Sequence, residues 1–191
     1  MVEKRLILDV GCGDRARGTV NVDVYRQTSV HLYERDSINA KQTLNFVQAT
    51  IYNLPFRSNT FPQVLCYHLL EHLKEPQKAV KELIRVSNHE VEIIVPYRWH
   101  ETIQNCFIPK RREWAQKHHL WNFDKKQLTN LFAEINVYAQ IRFRYKLNTA
   151  LKNYRVFQNQ DFKQLIFYSI LELVFPPTPG ELIATIIKKC R

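Results

Sequence analysis

The chain is poor in cysteine and carries no closely spaced pair of it: Cys12, Cys66, Cys106 and Cys190 are scattered over 191 residues with no C-x-x-C among them. That spacing excludes a disulfide framework and the usual ligand pattern of a structural zinc site. A reducing, cytoplasmic setting is expected. No secretory leader is expected either, since "MVEKRLILDVG" enters a core strand almost at once, without the apolar length or small-residue flank of one. Internal repeats and low-complexity tracts are also missing, so the search is for one site and not an array. Acidic side chains are in deficit, 18 against 28 basic, for a formal charge of +10. The deficit is local. Residues 1–96 hold 12 basic against 11 acidic side chains, whereas 97–155 hold 12 against 4 together with all three tryptophans, Trp99, Trp114 and Trp121.

What is present is enough apolar residue, 45% with 12% aromatic, to bury one sizeable core. One domain over residues 1–191 is expected. Apolar runs bounded by turn residues alternate with helical periodicity, the pattern of an α/β sheet. The strand candidates are Leu6–Val10, Val20–Val24, Asn45–Gln48, Val64–Tyr67, Val91–Val95, Ile135–Tyr145 and Leu182–Lys188. The clearest helix is "EPQKAVKELIRV", with Pro76 at a helix-opening position and Ala79, Val80, Leu83 and Ile84 on one stripe. A second is expected over Asp124–Glu134, with Asp124 as its N-cap.

The stretch "LILDVGCGDRARGTVNVD" concentrates the chemistry. Gly11 and Gly13 follow a strand, where glycine permits unusual dihedrals and close approach of backbone to a ligand. A nicotinamide site needs G-x-G-x-x-G and an acid about 20 residues further on. Here the third glycine is missing and Asp23 comes ten residues after Gly13, so the dinucleotide reading fails. Nine residues, Gly11 to Thr19, join the first two strands, where parallel crossovers usually need a dozen or more. The crossover helix is therefore expected to be lost or reduced to about a turn, with Asp23 still ending its strand beside the glycine loop.

In order along the chain, "LDVGCG", "NVD", "LPFRSNTF", "HLLEHLKEPQKAVKELIRV" and "EIIVP" resemble the motifs of the class I S-adenosylmethionine-dependent methyltransferases, in particular the type 11 methyltransferase-domain group. The likeness covers Leu6 to about Pro96 and continues weakly through "HHLWNFDKKQLTNLF". It implies a Rossmann-like, seven-stranded, mostly parallel sheet, with residues 1–96 as the cofactor half and 97–191 as the acceptor side. It also implies S-adenosylmethionine as cofactor and S-adenosylhomocysteine as product, bound at the carboxyl ends of the first strands, the usual place in open α/β sheets. By position, Asp9, Gly11, Cys12 and Gly13 would frame the methionine end, Asp23 and Val24 the ribose, Thr50 and Ile51 the adenine, and Tyr67 and His68 the strand-four wall. Three positions depart from the group's pattern: Thr50 and Pro62 stand where an acid is usual, and "SNHE" replaces a glycine turn. A neutral hydrogen bond is worth about 0.5–1.5 kcal/mol against about 1.5–3 for a charged one, so Thr50 should weaken adenine binding without abolishing it.

A sulfonium methyl is already activated, so a general base is needed only where the acceptor must lose a proton. His68, His100 and His119 are the candidates, because imidazole titrates near neutrality. "HLLEH", His68 to His72, also fits the H-x-x-E-H pattern of inverted zinc metallopeptidases, which needs both histidines on one helical face. A strand end meeting a loop there argues against that hydrolase reading, and no metal ligands are expected.

After the fifth strand, "PYRWHETIQNCFIPKRREWAQKHHLWNF" interleaves cations with aromatics. Cations can neutralise phosphates while aromatics stack on bases, so Tyr97–Arg155 suits a nucleic-acid acceptor. A solvated basic face over a core of aromatics fits the same residues. The apolar run Leu165–Phe175, within a helical insertion at about 161–175, is too short to span a bilayer and is expected to cover the sheet face that the missing helix exposes, or to meet an anionic lipid at an interface. A non-catalytic cofactor- or nucleic-acid-binding module is the alternative to an enzyme, and oligomeric state is not encoded in any motif.

Overall fold

The computed structural model describes residues 5–13, 15–24, 45–98, 119–145 and 179–188. They form one seven-stranded sheet: β1 (Ile7–Val10), β2 (Val20–Asp23), β3 (Phe46–Gln48), β4 (Phe61–Tyr67), β5 (Ser87–Pro96), β6 (Gln140–Tyr145) and β7 (Pro179–Ile187). The order across the sheet is β3-β2-β1-β4-β5-β7-β6, parallel from β3 to β5, with β7 antiparallel to both β5 and β6. The order reverses direction at β1, which places the carboxyl ends of β1, β2 and β4 around one crevice. This is the class I methyltransferase architecture. His100, residues 99–118 and the apolar run Leu165–Phe175 lie outside the described residues.

The central strands read as continuous apolar runs because both faces are covered. Leu8, Val10, Val22, Val64, Cys66 and Ile93 are buried in one cluster. Helix α1 (Pro76–Val86) opens with proline in its first turn and buries Ala79, Val80, Leu83 and Val86 against β4 and β5. It runs straight into β5. Ser87 takes over from the missing glycine turn: its Oγ donates to the Glu90 carbonyl and accepts the His89 N–H, with a bulge in the β4–β5 register where Pro62 removes a ladder donor. Helix α2 (Lys125–Glu134) starts at a complete capping box, in which Asp124 Oδ1 accepts the Gln127 N–H at 2.7 Å and Gln127 Oε1 accepts the Asp124 N–H at 3.0 Å.

The first crossover is short, and its described residues contain no helix. Side chains do the backbone's accounting instead. Asn21 bonds both the N–H and the carbonyl of Gly18, and Thr19 Oγ1 both accepts from the Ile7 N–H and donates to the Ile7 carbonyl. A Cβ at Gly18 would stand 2.4 Å from the Val20 carbonyl oxygen, so only glycine closes this turn.

One strand is shorter than its sequence suggests. The expected Ile135–Tyr145 strand begins at Gln140, because Asn136 adopts φ 56° and its N–H bonds the Ala133 carbonyl, capping α2 and holding residues 135–139 as a loop. Among the described residues no helix is long and apolar enough to cross a membrane.

Candidate active site

Gly11 (φ 74°) and Gly13 (φ 53°) carry the chain out of β1 in the left-handed region that favours glycine. They serve different ends. A Cβ on Gly11 would lie 2.6 Å from Leu69 Cδ2, so the segment after β4 packs directly onto the loop; a Cβ on Gly13 would meet nothing within 4 Å. The Gly13 N–H donates to Asp23 Oδ2 at 3.0 Å, which places the β2-end carboxylate at the loop, as the early acid predicts. Val24, next along, is exposed.

Asp9 is fully buried at the centre of the sheet. Its Oδ2 accepts the Arg17 N–H at 2.8 Å, with the Arg17 guanidinium 4.0 Å away, while Oδ1 is buried with no hydrogen bond. Burial pushes the Asp9 carboxyl above the usual carboxylate range, partly offset by the Arg17 amide and charge. Burial, followed by Asp23 and Asp9, pushes the Cys12 thiol up to about 12, so Cys12 is an apolar wall and not a nucleophile.

Arg17 reaches a second site residue. Its guanidinium lies 5.0 Å from the Tyr67 ring centroid, and the Tyr67 hydroxyl donates to Glu92. Burial and Glu92 raise the phenol's pKa, which keeps it protonated. On the other side of the crevice Ile51 is buried, and Thr50 is exposed with its hydroxyl accepting the Tyr52 N–H at 3.4 Å. The loop that follows is clamped by Arg85, which donates to the carbonyls of Leu54 (3.0 Å) and Phe56 (2.8 Å) and pairs with Glu82, itself accepting the Leu54 N–H at 2.7 Å.

His68 follows β4 directly with φ 52°, a strained geometry for a side-chain-bearing residue. Its Nε2 lies 3.1 Å from Glu181 Oε1, and its Nδ1 3.7 Å from Glu71 Oε1. Burial disfavours the imidazolium, but the Glu181 and Glu71 carboxylates outweigh it and hold the pKa at about 9. At neutral pH His68 therefore carries its proton.

The "HLLEH" histidines diverge. A 3-10 turn, Leu70–His72, follows β4, and His68 turns to Glu181 while the His72 ring meets His119 at 4.8 Å between centroids, 69° between planes. The single helical face that a metallopeptidase pair needs is absent, so the inverted zinc-hydrolase arrangement is not formed. His119, distant in sequence, is brought to the strand-four wall.

Four residues of this neighbourhood were not singled out in the sequence: Arg17, Glu92, Arg144 and Glu181. Glu181 had a signal, being the one acid inside the apolar strand "GELIATII". It is buried on β7 with Arg144 at 3.4 Å. Arg17 had none, since only the short crossover brings it over Asp9.

Fold and crevice together resemble those of the class I S-adenosylmethionine-dependent methyltransferases. Residues 8–95 match the sequence model of the family described as Methyltransferase domain. The chain is 34% identical over 93 residues to an uncharacterised protein of Methanocaldococcus jannaschii, covering 47% of this chain and 39% of that one. It is 33% identical over 101 residues to an uncharacterised methyltransferase of Schizosaccharomyces pombe, covering 42% and 35% respectively. The match thus spans well under half the length of either curated relative. Among solved structures, the plantazolicin methyltransferase BpumL, in complex with a triazolic desmethylPZN analogue and S-adenosylhomocysteine, superposes with a TM-score of 0.63 at 15% identity, over 97% of this chain and 77% of that one.

The crevice fits S-adenosylmethionine, the cofactor that the family resemblance implies. The unpartnered Asp9 Oδ1 is a buried negative atom suited to the cationic methionine end, Asp23 stands where ribose hydroxyls can be met, and Ile51 offers the adenine an apolar surface.

Proposed function

We propose that the protein is a methyltransferase that moves the methyl group of S-adenosylmethionine to a nucleic-acid acceptor, with S-adenosylhomocysteine as product. The observation that carries the reading is the buried carboxylate of Asp9, with one oxygen unpartnered, beside a glycine loop that also holds Asp23. When bound, the cofactor supplies an electrophilic methyl on a sulfonium. The chain's own work is to bind, orient and exclude water. Asp9 offers negative charge, the Gly13 amide fixes Asp23, and Arg17 ties Asp9 to the Tyr67 wall.

Two features support a polyanionic acceptor. Net positive charge is concentrated in residues 97–155. Within the described part of that segment, Arg98, Lys125, Lys126 and Arg142 are exposed, as are Trp121, Tyr138 and Tyr145, residue types suited to phosphates and unstacked bases. The free thiols Cys12 and Cys66 accord with a reducing, cytoplasmic compartment.

The test is methyl transfer from tritiated S-adenosylmethionine to total RNA and, in parallel, to anionic vesicles. Label in RNA that is lost with Asp23→Ala is the expected result. Label in lipid alone would replace the acceptor, and failure to bind S-adenosylhomocysteine by calorimetry would leave a non-catalytic module.

A further inference from the structure

The turn after β4 brings together groups for which methyl transfer has no evident use. Glu71 is a carboxylate only 2% exposed, and its Oε2 is buried with no hydrogen bond. His72 Nε2 lies 3.9 Å from Glu71 Oε1, beyond hydrogen-bond range, and the His119 ring packs edge-on against His72. One donor atom from each of Glu71, His72 and His119 falls within 4.8 Å of the others.

The backbone holds this cluster together across 48 residues. The N–H groups of Leu120 and Trp121 both donate to the Glu71 carbonyl, at 2.8 and 3.1 Å, and the Trp121 indole donates to the Leu73 carbonyl at 2.7 Å. His119 is thereby pinned opposite Glu71 by its immediate neighbours. A buried carboxylate oxygen without a donor is costly unless something positive meets it.

We propose that Glu71, His72 and His119 form a binding site for a divalent transition cation of the zinc class. Two imidazoles and one carboxylate suit Zn²⁺, Co²⁺ or Ni²⁺ and not the all-oxygen shells of Mg²⁺ or Ca²⁺. Tetrahedral ligands about 2.0–2.2 Å from a metal stand roughly 3.4 Å apart, so a trio lying within 4.8 Å of one another must close its widest pair by up to about 1.4 Å. Three protein ligands leave a fourth position open to water or to a heteroatom of a bound molecule. The site lies beside the cofactor loop, because the same segment packs on Gly11 through Leu69. It uses neither His68 with Glu181 nor the pairing of an H-x-x-E-H peptidase, and it stands independently of the methyl-transfer reading.

The experiment uses the untagged full chain, stripped with a chelator, titrated with Zn²⁺ by calorimetry and with Co²⁺ by visible absorbance. One equivalent should bind, with the intensified Co²⁺ absorbance of a low-coordinate site. His119→Ala, at a half-buried position, should weaken binding at least about 100-fold, beyond the usual cost of losing an outer-shell partner. Glu71→Gln should do the same, with circular dichroism to verify its fold. His89→Ala, an exposed imidazole on β5, should change nothing. Wild type binding no more tightly than His119→Ala, or weakening equally in His89→Ala, would overturn the site.

Discussion

Asp9 and Glu71 are both buried acids with an oxygen outside any hydrogen bond, and they flank the same glycine loop, yet their surroundings differ. Asp9 is met by backbone: the Arg17 amide binds one oxygen, and the neighbouring loop carries the amide that holds Asp23. Glu71 is met by imidazoles, from His68, His72 and, across the turn, His119. A carboxylate framed by amides suits an organic cation that needs room to enter and leave. One framed by imidazoles suits an ion small enough to sit among their nitrogens. The difference teaches that buried charge alone does not name a ligand; the donors around it do.

The comparison can be broken by substitutions that should act on one side only. The largest effect is expected at Gly11→Ala, which adds a Cβ 2.6 Å from Leu69 and forces a left-handed backbone, costing about 2–4 kcal/mol of stability. Gly13→Ala has open space and should cost only about 1–2 kcal/mol. Thermal unfolding of the pair measures the gap. If the two fall equally, the packing of the turn onto the loop is not what fixes Gly11.

Next is Asp23→Ala, which removes the carboxylate proposed to meet the ribose and should lower S-adenosylhomocysteine affinity about 10- to 100-fold, a loss of about 1.5–3 kcal/mol. Calorimetry reads it, and Glu71→Gln in the same assay should bind the ligand as wild type does. Arg85→Met should destabilise by about 1–2 kcal/mol, the lower part of the range for charged hydrogen bonds because Arg85 is 35% exposed. Its loss frees the Leu54 and Phe56 carbonyls and loosens the loop behind Ile51. Denaturant melts check the first effect, and cofactor affinity the second.

The smallest expected effect is a slope. Burial raises the Asp9 carboxyl, so ionising it costs more in the folded chain than in the unfolded one. Stability without ligand should be full below the ordinary carboxylate range and decline as pH rises through the raised Asp9 titration. Asp9→Asn should remove that component, and parallel melts across pH would show two identical slopes if Asp9 were solvated like a surface acid.

Much of this arrangement was legible in the sequence where a local rule applied. Pro76 with its apolar stripe gave α1, Asp124 gave the cap of α2, and the nine-residue spacing gave a crossover whose described residues hold no helix. Asn136 misled, because an apolar alternation reads as strand while a left-handed residue after a helix reads as a cap, and the cap won. Glu181 and His119 were harder for another reason. Their meaning depends on β7 returning antiparallel beside β5 and on the segment before α2 bonding to Glu71, pairings that no local spacing encodes. The charge of His68 was not legible, because Glu181, 113 positions away, helps Glu71 to set it.

The short crossover also bears on the order of assembly. Leu8 pairs with Val20 across 12 positions, whereas its other neighbour, Val64, is 56 positions away. Closing the shorter loop is cheaper by about 1.4 kcal/mol of chain entropy. The β1–β2 pair and the glycine loop between them therefore form the natural seed of the sheet, with the slower, distant strands joining an edge that already carries the loop and Asp23.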